Sequence, residues 1–538
     1  MIARSARLPD RLTEGPGTTR APLQSTWRRH VGLPILALPT VLLAGWVIVV
    51  WKFNGLYGQD PFAYYDFGVG PLRHSLLDGA PLSAMFWPLG YPILITLTSF
   101  VVGPVTGAAQ MVNVLAGGAT VCFTYLLGRD LLLQAGASPH LSRRAGVLGA
   151  LLLGVTGRMI ESNVLIMADS VALATATLSA WALVRWCADR GERGPHIGWL
   201  ALAATALAWS VITRWGQALL LGAWLVATLP MILSRRRHMV RWRDVGWAIL
   251  PAILILGVQL WLVFTVRSDP NVSVLPFAGD LVHVNGAGIG WSLAHLFQHR
   301  FVNGDGVQQY PWPNALYYAG GAFLLQYLTP IFLPAVILGV IVAAVSYPRS
   351  LPLLLSWPAI LLVFDAGLAQ QNPRYILAAL PPVALLAGLG SAVVWERLRT
   401  PWRPLGILVM GAALVAVAAI GLRGVGTLNA ERNSDLQVAT WTAAREPVGA
   451  ATLTFGLTLT LQHSTHLHVL DLSVLSKSQL QRLAARHAPL YLLVQENAMN
   501  GQFAARPPGI NYRQLKAAPG LIRLGELHGY TLARVNTT

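Results

Sequence analysis

Four charged residues at the edges of long apolar stretches could carry chemistry in this sequence. Asp60 lies in a loop that reads Gly-Gln-Asp-Pro-Phe-Ala-Tyr-Tyr-Asp, and Asp169 opens an apolar run. Arg214 and Arg374 occupy similar boundaries, in Thr-Arg-Trp-Gly and Asn-Pro-Arg-Tyr. Charge at membrane depth is costly and is usually retained for use, and an arginine fork donates two parallel hydrogen bonds to a phosphate. The arginines therefore predict phosphate binding, with two carboxylates as the other charged candidates.

Several of these positions also have a purely structural interpretation. Asp169 suits the N-cap of the helix that follows, which is compatible with a carboxylate at the mouth of a helical bundle. Arg214 and Arg374 could extend from helix ends to the membrane surface. Glu161 precedes Asp169 in the same short loop, and His283 lies in a long polar stretch where a histidine is more often only solvated.

The composition shows what must position these residues. Of 538 residues, 54% are hydrophobic and only 11% are charged, against roughly 25% charged in an average soluble domain. Apolar stretches such as 32–51 and 245–266 reach the ~20 residues that a helix needs to cross a bilayer. The two cysteines fall inside such stretches, so no disulfide framework is expected. The chain is predicted to be a polytopic α-helical membrane protein.

The apolar stretches predict about eleven transmembrane helices. The short run 89–102 is left as a re-entrant or juxtamembrane helix, with a full span as the alternative. The spans are placed near 32–51, 108–128, 145–157, 170–187, 197–212, 216–233, 245–266, 329–346, 351–364, 376–395 and 405–422.

The positive charge predicts the topology. This threading puts 21 Lys and Arg residues in the loops of one side and 7 in those of the other, so the N-terminal segment 1–31 is expected in the cytoplasm and the outer loops 52–107 and 267–328 on the far side of the plasma membrane. The net charge of +17 is spread over short clusters. That placement favours the anionic lipid surface as partner and disfavours nucleic acid.

The segment after the last span has a different composition. A transmembrane domain is predicted over 32–422, and a small extracytoplasmic α/β domain over 423–538. Helices are expected at 434–445 and 476–487, each opening on a Ser suited to capping. Strands are expected at 451–455, 467–472, 490–495, 521–527 and 530–535.

These residues, in this order, resemble the GT-C superfamily of membrane glycosyltransferases that use polyprenyl-phosphate sugars. The likeness is to the branch of protein O-mannosyltransferases, lipid A aminoarabinose transferases and Rgt-like proteins, and it covers most of the chain. It rests on features of a long first outer loop, namely an Asp, a following Tyr, a Gly and a Pro-rich segment at the end of the loop, and on three later motifs. These are Asp60, Tyr64, Gly79, 88–92, Asp169, Thr213-Arg214 and Pro373-Arg374-Tyr375.

The resemblance implies a function in the cell envelope. It implies transfer of a hexosyl or pentosyl group from a polyprenyl-phosphate donor to a glycan, lipid or protein acceptor at the outer face. Asp60 would be the base of an inverting displacement, Asp169 would assist it, and Arg374 and Arg214 would hold the donor phosphate. Tyr64, Glu161 and His283 are expected to contact substrate.

Two questions stay open at the level of sequence. The family's first motif often carries an acidic pair where this chain has Gln59-Asp60, so the requirement for a divalent cation is undetermined; Asp60, Glu161 and Asp169 could share one only if the fold brings them together. Other functions with similar sequence features are a secondary transporter or flippase, a surface-polysaccharide ligase or polymerase, and a sensor with an outer tail.

Overall fold

The first half of the chain is helical. The computed structural model describes residues 32–82, 87–188, 197–233, 242–265, 272–273, 280–284, 287–485, 489–517 and 521–536, so the predictions for 1–31 lie outside the described residues. Its helices are α1 (Leu33–Val50), α2 (Asp60–Val69), α3 (Pro71–Asp78), α4 (Gly90–Val102), α5 (Thr106–Gln134), α6 (Pro139–Gly154), α7 (Gly157–Val164), α8 (Asp169–Ala188), α9 (Ile197–Thr213), α10 (Leu220–Leu233) and α11 (Trp242–Thr265).

Short strands separate these helices from the next group. An antiparallel three-stranded sheet is followed by a hairpin in which Arg300 pairs with Gln309. The strands are β1 (Val272–Ser273), β2 (Asp280–Val284), β3 (Ala287–Gly290), β4 (Arg300–Asn303) and β5 (Gly306–Gln309). The helices that follow are α12 (Asn314–Gly320), α13 (Leu333–Ser346), α14 (Leu351–Ala366), α15 (Pro373–Ile376), α16 (Leu380–Arg397) and α17 (Arg403–Ala443).

The protein is a multi-pass membrane protein. Within the described ranges, seven helices are long and apolar enough to cross a membrane, and an eighth span is formed if α6 and α7 count as one bent helix. Four shorter apolar helices lie at Gly90–Val102, Ile197–Thr213, Trp215–Leu229 and Pro330–Ser346. Eleven spans therefore remain a prediction, as does the orientation of the termini.

Small residues let the central helices approach one another closely. A Cβ on Gly149 of α6 would lie 2.8 Å from the carbonyl oxygen of Ala384 in α16. A Cβ on Gly157, the first residue of α7, would lie 2.6 Å from Cα of Gly421 in α17. Close backbone contact through small residues is the usual way in which helices associate in lipid, where burial of apolar surface gives no driving force.

The break between α6 and α7 turns the chain at one end of the bundle. The two helices meet at 60°. The amide of Arg158 donates to the carbonyl of Gln326 at 2.9 Å, which fixes the start of α7. The short connection after α7 then leads directly to Asp169 at the start of α8.

One helix was predicted wrongly. The sequence predicts a span ending at 422 and a separate helix from Ser434, whereas Ser434 lies inside the 41-residue helix α17. The glycines before it do not break the helix, because they serve close packing: Gly421 meets Gly157, and Gly424 lies against the side chain of Gln326. The predicted domain boundary at 423 therefore falls inside a continuous helix.

The chain ends in a five-stranded sheet. Its strands are β6 (Ala451–Thr454), β7 (His468–Asp471), β8 (Leu490–Val494), β9 (Leu521–Leu527) and β10 (Tyr530–Val535). Their order in the sheet is β7-β6-β8-β10-β9, with β6 parallel to β7 and β8, and β10 antiparallel to β8 and β9. The capping predicted for Ser476 is present, because Ser476 and Gln479 exchange hydrogen bonds of 2.8 and 3.3 Å as a capping box. The helices of this part of the chain are α18 (Thr458–Ser464), α19 (Lys477–Ala485), α20 (Glu496–Asn500) and α21 (Pro507–Ala517).

Candidate active site

Asp60 is the first residue of α2. An acidic residue and a proline in the first turn favour a helix start at this point, since the carboxylate interacts with the helix dipole and the proline needs no hydrogen-bond partner. Phe62, Tyr64 and Tyr65 anchor the helix in a buried apolar cluster. The Tyr64 ring lies 5.5 Å from that of Tyr91 in an edge-on arrangement. The anchor holds α2 while Asp60 stays 34% exposed.

Asp169 is the first residue of α8 and is only 6% exposed. The connection before it is fixed by side chains of α5: the amide of Gln110 donates to the carbonyls of Phe53 and Val164, each at 2.9 Å. Ser170 donates to Asn163 at 2.9 Å. These bonds hold the chain from α7 to α8 in one conformation, so the carboxylate of Asp169 is positioned before any substrate binds.

Arg374 joins the two aspartates. The side chain of Asn372 caps α15 by accepting from the Arg374 amide at 3.0 Å. The guanidinium then reaches both carboxylates, with Nη1 3.3 Å from Asp60 Oδ2 and Nη2 3.1 Å from Asp169 Oδ2. Three segments that are far apart in the sequence therefore meet at one end of the bundle, which we call the site end.

Arg214 completes the cluster from the opposite side of Asp169. It forms an ion pair with Asp169 through Nη1, and its guanidinium lies 5.0 Å from the centre of the Tyr375 ring. The Tyr375 hydroxyl accepts from the Gln370 amide at 2.8 Å. Two arginines and two aspartates thus form one contiguous charged group.

Arg374 keeps an unused donor in this arrangement. Its Nε is buried and has no hydrogen-bond partner among the described residues. Leaving a buried charged donor unsatisfied is costly. Guanidinium groups bind phosphate oxygens in pairs, and the exposed 32% of the Arg374 side chain is the part that an anion could reach.

The remaining predicted residues occupy different environments. Glu161 is buried and forms an ion pair with Arg158 at 2.5 Å. Tyr64 is buried beside Asp60; burial, and next the negative charge of Asp60, raise the pKa of its hydroxyl, which stays protonated at neutral pH. His283 lies in β2, but its side chain is outside the described residues. Substrate contact by these three residues remains a prediction.

Asp365 was missed in the sequence. It lies at the end of α14, is 9% exposed, and is close enough to Arg214 for their charges to interact. The signal was present, because Asp365 stands at the edge of a predicted span just as Asp169 does. Its position gives Arg214 a carboxylate neighbour besides Asp169.

The charged cluster does not resemble a metal site. Throughout the described ranges, no three His, Cys, Asp or Glu side chains are grouped so that they could hold a metal ion. Asp60 and Asp169 are bridged by the Arg374 guanidinium, which occupies the position that a bridging cation would take.

The C-terminal segment contacts the helix that carries Asp60. Gln59 donates to the carbonyl of Gly456 at 2.6 Å. His463 of α18 lies 3.5 Å from the carboxylate of Asp66 and packs edge-on against the ring of Phe62 at 5.3 Å. One face of the site end is therefore built by residues that lie after the last predicted span.

Comparison with known proteins identifies the fold. No protein-family model matches the sequence, and no curated protein matches it either. The structure is similar to that of ArnT from Cupriavidus metallidurans bound to undecaprenyl phosphate, with 13% identity and a TM-score of 0.59 over 96% of this chain and 99% of that one. It is also similar to the oligosaccharyltransferase AglB from Archaeoglobus fulgidus in complex with an inhibitory peptide and a dolichol-phosphate, with 11% identity and a TM-score of 0.54 over 93% and 74%.

These likenesses define the class of protein. The helices of membrane length and the two structural neighbours place the chain among multi-pass membrane proteins with the GT-C fold. At 13% and 11% identity the likeness establishes this architecture, and it agrees with the resemblance that the order of the charged residues indicated.

Proposed function

We propose that the protein transfers a sugar from a polyprenyl-phosphate donor to an acceptor at the site end. The observation that carries the proposal is the Asp60–Arg374–Asp169–Arg214 cluster at one end of an apolar helical bundle with the GT-C fold. The polyprenyl chain of such a donor needs an apolar environment, and its phosphate needs cations. The apolar helical bundle and the arginines of the cluster offer these two environments.

The arginines are assigned to the donor phosphate. The Arg374 side chain is 32% exposed, so an added anion can reach part of its guanidinium while the contacts with the aspartates remain. Arg214 is held next to it through their shared partner Asp169. Cationic donors placed before the reaction stabilise the charge that develops on the leaving phosphate as the glycosidic bond breaks.

Asp60 is assigned as the base. At 34% exposure it is the more accessible of the two carboxylates, so an acceptor arriving from water can reach it. The acceptor oxygen or nitrogen attacks the anomeric carbon, its proton passes to Asp60, and the carbon–oxygen bond to the phosphate breaks with its electron pair going to the phosphate. Attack opposite the departing phosphate inverts the anomeric configuration.

The leaving group places few demands on the protein. A phosphate departs as an anion at neutral pH and needs no proton, so the chemistry requires one base and a cationic binding site. The polyprenyl chain would lie against the apolar helices. ArnT with undecaprenyl phosphate and AglB with a dolichol-phosphate share this fold, which supports a lipid phosphate as the donor class.

The test measures sugar transfer directly. Purified protein in lipid is given radiolabelled hexoses and pentoses on polyprenyl phosphates, and both released polyprenyl phosphate and labelled acceptor are measured. The Asp60→Asn variant is expected to lose transfer. Asp78→Asn is the matched control, because Asp78 ends α3 of the same long loop and is exposed; it is expected to retain activity. Full activity in Asp60→Asn would show that Asp60 is not the base.

A transporter or flippase is the second candidate, and one observation favours it. The 60° break between α6 and α7 is a discontinuous helix of the kind that transporters use at their binding sites. The same preparation discriminates between the two functions: movement of an intact labelled donor across a vesicle membrane, with no cleavage of any donor, would favour transport. A ligase or polymerase would instead require a donor that carries a longer glycan.

A further inference from the structure

Helix α14 fixes the level of one membrane boundary. The stretch Pro348–Ala366, which contains α14, is 19 residues long and apolar enough to cross a membrane. At 1.5 Å per residue such a helix is about 28 Å long, close to the ~30 Å hydrocarbon layer of a bilayer. Its last turn therefore lies where the hydrocarbon ends. Asp365 belongs to this turn and is close enough to Arg214 for their charges to interact, so this boundary is the one at the site end.

Two short helical segments pack against this end of α14. The first is a 3₁₀ turn, Leu293–Phe297, and the second is α12. The amide of Ser292, just before the 3₁₀ turn, donates to the carbonyl of Gly367 at 2.9 Å. The side-chain amide of Asn314 in α12 donates to the carbonyl of Leu368 at 2.7 Å. Both segments are thus held at the level of the boundary.

Trp291 has the environment of an interfacial tryptophan. Its ring stacks on that of Phe364, with 6.5 Å between the ring centres, and its indole nitrogen donates to the carbonyl of Phe364 at 3.0 Å. Tryptophan is enriched at membrane–water interfaces because its large ring is apolar while its N–H group needs a partner. Part of the Trp291 ring stays exposed next to the last turn of α14.

Further large apolar side chains are exposed on the same two segments. The side chain of Phe297 is 78% exposed and that of Trp312, just before α12, is 60% exposed. We call the exposed apolar residues of this region the apolar rim, which consists of Trp291, Leu293, Phe297, Trp312 and Leu316.

The C-terminal segment provides a contrast to the apolar rim. In the described part of the chain after α17, the exposed large apolar side chains are aliphatic and widely separated: Val448, Val474, Ile510, Ile522 and Leu524. Single exposed apolar residues of this kind are ordinary on a surface in water. The rim instead places three aromatic rings and two leucines between positions 291 and 316. Such a concentration marks a surface that contacts lipid or another protein.

We propose that the apolar rim is an interfacial membrane anchor, whose side chains enter the lipid at the boundary where α14 ends. Lipid is the occupant because the rim is continuous with α14, whose exposed Val363 faces lipid at the end of the same span. The anchor also bears on the site, since Gln371 donates to the carbonyl of Trp312 at 2.6 Å and lies three residues before Arg374. Arg374 is thereby held near the depth at which the phosphate of a membrane lipid lies.

The test measures the depth of the rim in a bilayer and needs no sugar donor, so it is independent of the proposed function. The full chain, with Cys122 and Cys187 replaced by Ser, receives one new cysteine by Phe297→Cys, which is labelled with an environment-sensitive nitrobenzoxadiazole dye. The protein is placed in phosphatidylcholine nanodiscs, in which both faces of the bilayer are open to water. Quenching by a nitroxide-labelled lipid reports contact with lipid, and quenching by added iodide reports contact with water.

Two reference positions calibrate the measurement. Leu42→Cys lies on the exposed face of the membrane-length helix α1 and represents lipid. Val448→Cys represents water, because it follows α17, whose 41 residues make about 60 Å of helix, twice the hydrocarbon thickness. The label at Phe297→Cys should be quenched by the nitroxide lipid as at Leu42→Cys. Its quenching by iodide should be about fivefold weaker than at Val448→Cys, because an ion is excluded from apolar surroundings.

A second rim position keeps the test decisive. Trp312→Cys carries the label to the α12 side of the rim and should show the same pattern, also where Phe297→Cys yields no folded protein. Iodide quenching as strong as at Val448→Cys, without quenching by the nitroxide lipid, would overturn the anchor. Protection from both quenchers would overturn it as well, because it would mean that protein, such as a second copy of this chain, covers the rim. Lipid contact at one of the two positions alone would overturn the rim as a unit.

Discussion

Asp60 and Asp169 share an arginine and differ in almost everything else. Asp169 is 6% exposed and contacts two guanidinium groups, whereas Asp60 is 34% exposed and contacts one. A buried carboxylate paired with two cations fixes their positions. An exposed carboxylate can exchange a proton with an incoming acceptor. This difference supports the proposed division of roles, in which Asp169 fixes the arginines that bind the donor and Asp60 acts on the acceptor.

The surroundings of the two aspartates differ in the same way. Asp169 begins a 20-residue helix packed inside the bundle, whereas Asp60 begins a 10-residue helix whose outer contacts come from the C-terminal segment. Those contacts combine polar bonds, such as Gln59 to Gly456 and Tyr57 to Glu431 at 2.7 Å, with packing of the His463 ring against Phe62. Asp60 is thus positioned partly by the C-terminal segment, whereas Asp169 is positioned by the helical bundle.

The largest effect is expected at the shared arginine. Arg374→Ala removes the cation that joins the two sides and should lower the transfer rate by about 10² to 10³-fold, because stabilisation of the departing phosphate is lost. Donor affinity should fall with it. Steady-state kinetics and donor titration measure both quantities. Arg349→Ala, an exposed arginine before the other end of α14, is the control. Unchanged donor affinity in Arg374→Ala would contradict the phosphate role.

The difference between the two aspartates can also be tested by the stability of the variant Asp169→Asn. The change leaves Arg214 and Arg374 without their buried carboxylate, and breaking such a pair costs about 3 to 5 kcal/mol. The thermal midpoint of the protein in lipid should fall clearly. Asp60→Asn should barely move it, since an exposed pair contributes at most about 1 kcal/mol. Equal midpoints for the two variants would mean that the aspartates do not differ as proposed.

The smallest effect is expected at Glu446, a buried carboxyl group outside the arginine–aspartate cluster. Burial raises the pKa of Glu446 to about 7, partly offset by the hydrogen bond from Thr452. Its folded-state pKa lies above its unfolded value near 4.5, so its contribution to stability is present below about pH 4.5 and is lost as the pH rises through about 7. Glu446→Gln should raise the thermal midpoint at pH 8 by on the order of 2 °C. No difference between pH 5 and pH 8 would contradict the raised pKa.

Much of the architecture could be predicted from the sequence, because a helix that crosses the lipid bilayer needs an apolar stretch of nearly fixed length. The spans at 32–51 and 170–187 correspond to α1 and α8, and the two last strands occur at the predicted residues. The end of α17 could not be predicted, because Gly421 and Gly424 suggest a break until their packing partners are known. Whether that helix carries a separate domain beyond the membrane stays a prediction.

The site could be predicted only in part. Each of the four charged residues stands at the edge of an apolar stretch, which is a local signal and marked them as candidates. That Arg374 bridges Asp60 and Asp169 depends on contacts between positions up to 314 residues apart, and no local pattern contains this information. Asp365 obeyed the same local rule and was missed. The ion pair between Glu161 and Arg158 was likewise not predicted from the sequence, although the two residues are only three positions apart.

The most direct test of the central claim measures donor binding and transfer together in Asp60→Asn. If Asp60 acts on the acceptor and the arginines hold the donor, this variant should bind polyprenyl-phosphate sugar with wild-type affinity while its transfer rate falls by about 10² to 10⁴-fold. A variant that transfers sugar at the wild-type rate, or one that fails to bind the donor, would contradict the division of roles between the two aspartates.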